Sequence, residues 1–487
     1  MGEAKRRARL RAEAAAFVKP LKRARFEIMA IGTRRSPAFF MAEELSWWAS
    51  KDERLIAVVA RDTTDNDYLW AILARDRIGC FRWVDGMTSL RSQWHAEEAL
   101  AFAMADTVKN KDVAALGHQG DETNAPIDLL RLPTDVDPNT LHPYFRQVLE
   151  SPARAPARAV IREIGPWLTP NDPHLVREFQ GRSFDQRLWE IYLWAAFREF
   201  GLDVQQLEAP DFRCTAPGVD FTVEATTAAP SGMGPLAAHP DPKTKEEMTA
   251  FLADYMPMKF GSALLSKLEK KNKEGLHYWE REASRDKPFL LAIADFHKPA
   301  TGKELGPMVY TQSALWRYLY GHRVDWEFID DKLVINHHNV EQHQFGAKVI
   351  PSGFFDLPNA ENVSAVIFSN AGTLAKFDRM GVVAGFGADG VRYIRAGFRA
   401  DPDPNAVVGK HFVDDVTDEK YEEYWTDELQ VFHNPNAKHP LPFDVLPLAN
   451  HHLLQDGELK SFCAPGTVLS SYTVILVPKG TEQPLGA

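Results

Sequence analysis

Cysteine is scarce in this 487-residue chain: Cys80, Cys214 and Cys463 are the only three, and they stand far apart. The absence of any CxxC pair excludes a zinc knuckle and a disulfide framework and points to a reducing cytoplasm. Long apolar runs are missing as well. None approaches the roughly 20 residues that a bilayer span requires, and no apolar stretch of roughly 7 to 15 residues precedes a small-residue cleavage site near the N-terminus. Neither a membrane segment nor a secretory signal is therefore expected. Internal repeats, low-complexity tracts and the HExxH zinc signature are likewise absent.

Positive charge is in deficit, the net charge being −11, but it is unevenly spread. Residues 1–25 hold nine Lys or Arg against Glu3 and Glu13, a local +7, which leaves −18 on the other 462 residues. Such an arm can find phosphate, although a frayed, solvated helix over MGEAKRRARLRAEAAA is the plainer expectation.

A chain this long exceeds one hydrophobic core and predicts two or three domains. After the basic arm (1–25), residues 45–85 alternate apolar and polar in short runs broken by Asp, Asn and Gly, as an antiparallel meander does. QWHAEEALAFAMADTV (93–108) predicts an amphipathic helix over one face of it, completing a small α+β domain (26–115). Nine prolines between Pro126 and Pro173 interrupt every helical pattern and predict a connector with short helices (116–182). From Ser183 the character changes. SFDQRLWEIYLWAAFREFG has Ser183 and Gln186 at capping-box spacing, Gly201 as its stop, and apolar residues nearly all round, so it predicts a buried helix.

Strands LDVQQLEA and PDFRCTA, a Pro217-Gly218 turn, the strictly alternating VDFTVEATT, a helical stretch from about Lys245 to Lys273 and the buried strand KPFLLAIADFH follow. The order is α, β, β, β, α, β within an α/β core (183–325). A β-rich C-terminal extension or third domain (326–487) carries strand candidates at 363–370, 380–387 and 391–398, and then a loop-rich tail.

Three acids in this core bear on chemistry. Metal-assisted phosphodiester hydrolysis needs hard oxygen ligands converging from separate elements. Asp211 begins one strand and Glu224 lies near the end of the next, so a hairpin brings both carboxylates to the same sheet edge. On the second strand Asp220, Thr222, Glu224 and Thr226 share a face, a polar stripe that is costly unless something binds there. Glu190 shares its helix face with Leu193, Trp194 and Phe197; its bland alternative is pairing with Arg187 or Arg198.

Pro210-Asp211, the VEAT run at 223–226 and the preceding helix with Glu190, in this order, resemble the PD-(D/E)xK nuclease superfamily over about 115 of 487 residues. The resemblance implies a restriction-endonuclease-like αβββαβ core. It implies Asp211 and Glu224 as ligands of Mg²⁺ or Mn²⁺, Glu190 as auxiliary acid, and Asp220 as an alternative ligand in another register. The sequence departs from the pattern at Thr226, where a lysine is expected, and Lys259 or Lys267 of the following helix would then supply the cation.

The implied function is a metal-dependent nuclease acting on DNA, ahead of RNA, in defence or repair. The alternative is a catalytically inactive nucleic-acid or protein-binding module on the same scaffold. Nucleic acid is the expected partner, with the basic arm and Lys243–Lys273 as its positive surface, no membrane, and a homodimer as a permitted assembly.

Other signals are weaker. Gly385, Gly387 and Gly390 spell GxGxxG but precede VRYIRAGF, which alternates like a strand, so a hairpin turn is expected rather than a dinucleotide site. His337, His338 and His343 with Asp330 and Asp331, and separately His433, His439, His451 and His452, are read as solvated loops. SNAGTLAKFDRMG (369–381), with Lys376 and Arg379, reads as an ordinary strand-to-helix turn that could present N–H groups to phosphate.

Overall fold

The computed structural model describes residues 12–122, 127–134, 136–169, 173–229, 236, 239–296, 311–403 and 405–478. It is a mixed α/β structure with several sheets, divided into two compact units. One unit comprises Met1–Arg182, Gly201–Asp203 and Phe377–Asp389, and the other Ser183–Phe200, Val204–Lys376 and Gly390–Ala487.

In the first unit, β1 (Val18–Pro20), β2 (Ala42–Ser50), β3 (Leu55–Asp62), β4 (Tyr68–Arg75) and β5 (Phe81–Leu90) form one antiparallel sheet in sequence order. This is the meander that the alternation of residues 45–85 predicts. The helix α1 (Gln93–Asn110) starts at Ser92, whose hydroxyl accepts from the His95 backbone N–H, and lays Ala96, Leu100 and Met104 against Leu55, Ala57, Val59 and Ile72. Burying each such Leu or Met contributes about 1.5–3 kcal/mol.

Two expectations change in this unit. Residues 18–25 are part of the unit rather than of a separate arm: β1 pairs with β2, Lys19 and Arg25 both bind Glu53 (2.7 and 2.6 Å), and Arg23 binds Glu27. Two carboxylates thus offset part of the charge of these three cations. The other basic residues Lys5, Arg6, Arg7, Arg9 and Arg11 lie outside the described residues. The proline-rich stretch carries the short helices expected of it, but as part of the first compact unit. Helices α2 (Pro143–Glu150) and α3 (Ala155–Ile164) place prolines in their first turns, where no N–H is missed, and bury Phe145, Val148, Val160, Ile161 and Ile164.

The second unit is built on an eight-stranded sheet. Helix α4 (Phe184–Glu199), β6 (Asp203–Gln206), β7 (Phe212–Ala216), β8 (Val219–Ala228), helix α5 (Met256–Glu269) and β9 (Phe289–Asp295) follow one another in the expected order. Glycine at 201, with φ +80°, stops α4 as predicted, and Gly218, with φ +76°, turns the β7–β8 hairpin. Ser183 makes no side-chain cap; Gln186 turns instead to Glu190. Parallel β8–β9 and β9–β14 pairs, the latter to β14 (Ala365–Ser369), continue the sheet through β17 (Gln430–His433), β18 (Asn450–Gln455) and β19 (Glu458–Phe462). The C-terminal third thus extends the core sheet, and its tail is strand-rich rather than loop-rich.

Several C-terminal expectations are corrected. MGVVAGFG is not a strand: Leu374–Val383 is helical because Leu374, Phe377 and Met380 bury at helical spacing. The GxGxxG therefore links a helix to β15 (Arg392–Arg399) rather than two strands. Asp330 and Asp331 are the tight turn, both at positive φ, of a hairpin between His322–Ile329 and Lys332–Asn339, in which His337 bonds His322 at 2.8 Å and His338 meets Asp325 at 3.1 Å. His343 is buried against Ser352. His433 and His451 are also buried, bonded ring to ring at 2.8 Å between β17 and β18. Lys376 faces no phosphate; it is fully buried, 2.8 Å from Glu423, in a network where Arg395 binds Glu428 and Tyr421.

Candidate active site

The two faces of the core sheet set the site. On one face, α4 packs Phe197 against Phe212 and Phe221 with ring centroids 6.0 and 6.2 Å apart. The other face carries Thr222, Glu224 and Thr226, in register with Phe289, Leu291 and Ile293 of β9, and is covered by α5. Phe212 pairs with Val223, which sets Asp211 across from Glu224 at the end of the hairpin. The two strand carboxylates are thereby neighbours, and Asp211 Oδ2 accepts the Ala225 backbone N–H at 2.7 Å.

Glu224 is buried. Its Oε1 accepts from Lys267 Nζ at 2.5 Å, while Oε2 has no hydrogen-bond partner among the described residues. Lys267 reaches it from the last turn of α5, the border position on the apolar stripe that its spacing from Phe260 and Leu264 indicates. Lys259, two turns earlier, is elsewhere: burial and the nearby Lys348 lower its ammonium from the ordinary range, with Asp295 opposing them.

Glu190 sits on α4, on the opposite face of the sheet. It accepts from Arg187 at 2.7 Å and Gln186 at 2.9 Å, so the local pairing with Arg187 is present. Its charge is nevertheless felt across the sheet edge. Burial, and then the charges of Glu224 and Glu190, hold the Asp211 carboxyl well above the ordinary carboxylate range. Burial also raises Glu190, against Arg187. Burial is the larger cause for both groups, and the neighbouring like charges add to it.

Asp220 does not join them. It lies four residues from Glu224 on β8, about 13 Å along a strand, and is held by Arg213 at 2.8 Å and Lys287 at 2.7 Å. Against the burial that would raise it, those hydrogen bonds lower its carboxyl. Its place along the strand and its two cationic partners set it apart from Asp211 and Glu224. Thr226, buried on β8, stands where the pattern would put a lysine.

The polar stripe on β8 finds its explanation in the α5–β9 connection, which runs over it. Lys287 meets Asp220, and Ser284 bonds Thr222 at 2.9 Å. Tyr278, fully buried and stacked on Phe289, lies beside Glu224 and Asp211; burial, then the charge of Glu224 and a hydrogen bond to it, then the charge of Asp211, raise its phenol. Sequence reasoning missed Tyr278, whose only signal was an aromatic run, HYW, inside a charged loop.

Among the described residues, one trio of acids has oxygens within 4.8 Å of one another, and it is Asp62, Asp65 and Asp67 in the first unit rather than Glu190, Asp211 and Glu224. Those three sit on the β3–β4 turn, where Asp62 and Asp65 accept backbone N–H groups of Thr64 and Asp67, as turn acids do. The core pair fits a divalent cation through different features: two adjacent hard-oxygen donors from two strands, one of them with an unpartnered buried oxygen.

Compared with known protein families, with curated proteins and with solved structures, the chain matches none.

Proposed function

We propose that this chain is a metal-dependent nuclease that hydrolyses phosphodiester bonds in nucleic acid, DNA ahead of RNA. The observation that carries this reading is the contact between Lys267 and Glu224 at 2.5 Å, beside Asp211, because it offers a cation at the acid pair where β8 itself has only Thr226. Asp211 and Glu224 would hold Mg²⁺ or Mn²⁺, with Glu190 as an outer acid. A bound divalent ion supplies Lewis-acid stabilisation to phosphate oxygens and favours a nucleophilic water. Lys267 contributes a fixed positive charge where negative charge develops, and Arg187 keeps Glu190 oriented.

A second reading, a non-catalytic binding module on the same scaffold, is favoured by one observation: the three acids are looser than a 4.8 Å trio. The two part in one assay. Full-length protein is incubated with Mg²⁺ or Mn²⁺ and single- and double-stranded DNA and RNA, beside Asp211→Asn and Glu224→Ala. Metal-dependent cleavage lost in both variants supports the nuclease. Retained binding of DNA without cleavage by the unaltered protein supports the module, and cleavage surviving both substitutions removes the site assignment.

A further inference from the structure

Among the described residues, a cavity of about 720 Å³ opens in the first unit between α3, the segment 127–133 and the short helix Leu175–Gln180. Its volume lies in the range of small-molecule sites. The floor is made by Leu129, Ile161 and Leu175, all buried, and Leu132 on the rim is 41% exposed.

The walls are fixed before any ligand arrives. Gln180, itself buried, donates from Nε2 to the carbonyls of Leu129 and Arg131, both at 3.0 Å. The Leu130 N–H goes to Asp128 Oδ1 at 3.0 Å. Ile127 is held so near Gly165 that a Cβ there would stand 3.2 Å from the Ile127 carbonyl oxygen. Pro133, Pro166 and Pro173, which also line the cavity, have no N–H to offer. Such walls leave little for the backbone of an extended peptide to pair with, and they suit an apolar chain without amide groups.

The polar side chains of the lining are Asp128, Arg131 and Arg162. Asp128 is engaged in its own turn. Arg131 and Arg162 are exposed and, among the described residues, make no ion pair or side-chain hydrogen bond. The acid next to Arg162, Glu163, is taken by Arg75 at 2.7 Å. Burial and then the charge of Arg162 lower the Arg158 guanidinium, so the field of Arg162 falls on a second cation rather than on an acid. Two unmatched guanidinium groups beside an apolar floor complement a ligand with an anionic head and an apolar tail.

We propose that this cavity binds a free aliphatic carboxylate, its alkyl chain on Leu129, Ile161 and Leu175 and its head group on Arg131 and Arg162. The site shares no residue with the acid pair, so either reading can fail alone.

The test is a dansyl-labelled undecanoate bound to the full chain, followed by its fluorescence and displaced by decanoate, by decanol or by an acetylated leucine-rich acidic peptide. Decanoate is expected to displace the probe. Decanol, equal in chain and without charge, is expected to be about tenfold weaker, the scale of one lost charge-assisted hydrogen bond. In an Arg131→Gln, Arg162→Gln double variant decanoate falls to the level of decanol, whose own displacement is unchanged. Val176→Trp, which places a large ring in the cavity lining, loses the probe. Thermal unfolding reports whether each variant is folded, and the double variant, altered at two exposed residues, carries the test if Val176→Trp does not fold.

A full chain that does not bind the probe overturns the proposal. So does equal displacement by decanoate and decanol, a double variant that binds decanoate as the unaltered protein does, or a folded Val176→Trp that keeps the probe. Displacement by the peptide but not by decanoate assigns the cavity to a protein partner and overturns it as well.

Discussion

Lys267 Nζ stands 2.5 Å from Glu224 Oε1, joining a helix to a strand 43 residues earlier in the chain. If this contact replaces the missing strand lysine, Lys267→Met lowers kcat by about 10²-fold or more, the scale seen when one fixed charge-stabilising donor is removed. Lys259→Ala, whose ammonium responds to Lys348 and Asp295 instead, stays within about twofold. Steady-state cleavage kinetics on one oligonucleotide separates the two.

Asp220 tests the boundary of the site. Its carboxylate is shared by Arg213 and Lys287 and remains about one-third exposed. Asp220→Asn is therefore expected to leave cleavage unchanged and to cost about 0–1 kcal/mol of stability, as partly exposed ion pairs do. A loss of cleavage comparable to that of Glu224→Ala would return Asp220 to the ligand set.

Much of the core was legible in the sequence for simple reasons. Strict alternation in VDFTVEATT, a Pro-Gly turn and an all-round apolar helix each leave one economical structure, and together they place Asp211 opposite Glu224. What could not be read depends on partners far away in the chain. MGVVAGFG looks like a strand by its paired valines, but Leu374 and Phe377, outside that window, reveal the helical face. The strands after residue 400 are short and rich in His and polar residues, and only pairing with β14 and β15, built from distant segments, makes them strands. Tyr278 could not be placed without knowing that its loop turns back over β8.

The buried network around Lys376 predicts a stability defect unrelated to catalysis. Lys376→Met leaves two buried carboxylates, Glu423 and Glu428, to the single guanidinium of Arg395, and one uncompensated buried charge costs about 3–5 kcal/mol. Urea unfolding of the full chain measures it, and a second substitution, Glu423→Gln, is expected to recover part of the loss.

The buried histidines predict a specific acid sensitivity. Burial, then His451, lowers His433 to about 4, and burial lowers His451 as well. An unfolded-state histidine titrates near about 6.5, so between that value and the folded one the unfolded chain binds more protons. The stability of the neutral buried rings is thus complete above about pH 6.5 and is lost as pH falls towards about 4. Thermal unfolding across this window, beside His433→Phe, should show a shallower slope for the variant.

The central claim, that Asp211 and Glu224 make a divalent-cation centre, is tested most directly by Mn²⁺ binding to the purified chain, followed through the electron paramagnetic resonance signal of the free ion. Binding that is lost in Glu224→Ala and Asp211→Asn but kept in Asp220→Asn and in an Asp62→Asn, Asp65→Asn double variant is the predicted result. Binding that persists in Glu224→Ala and disappears with the Asp62 and Asp65 substitutions would contradict it.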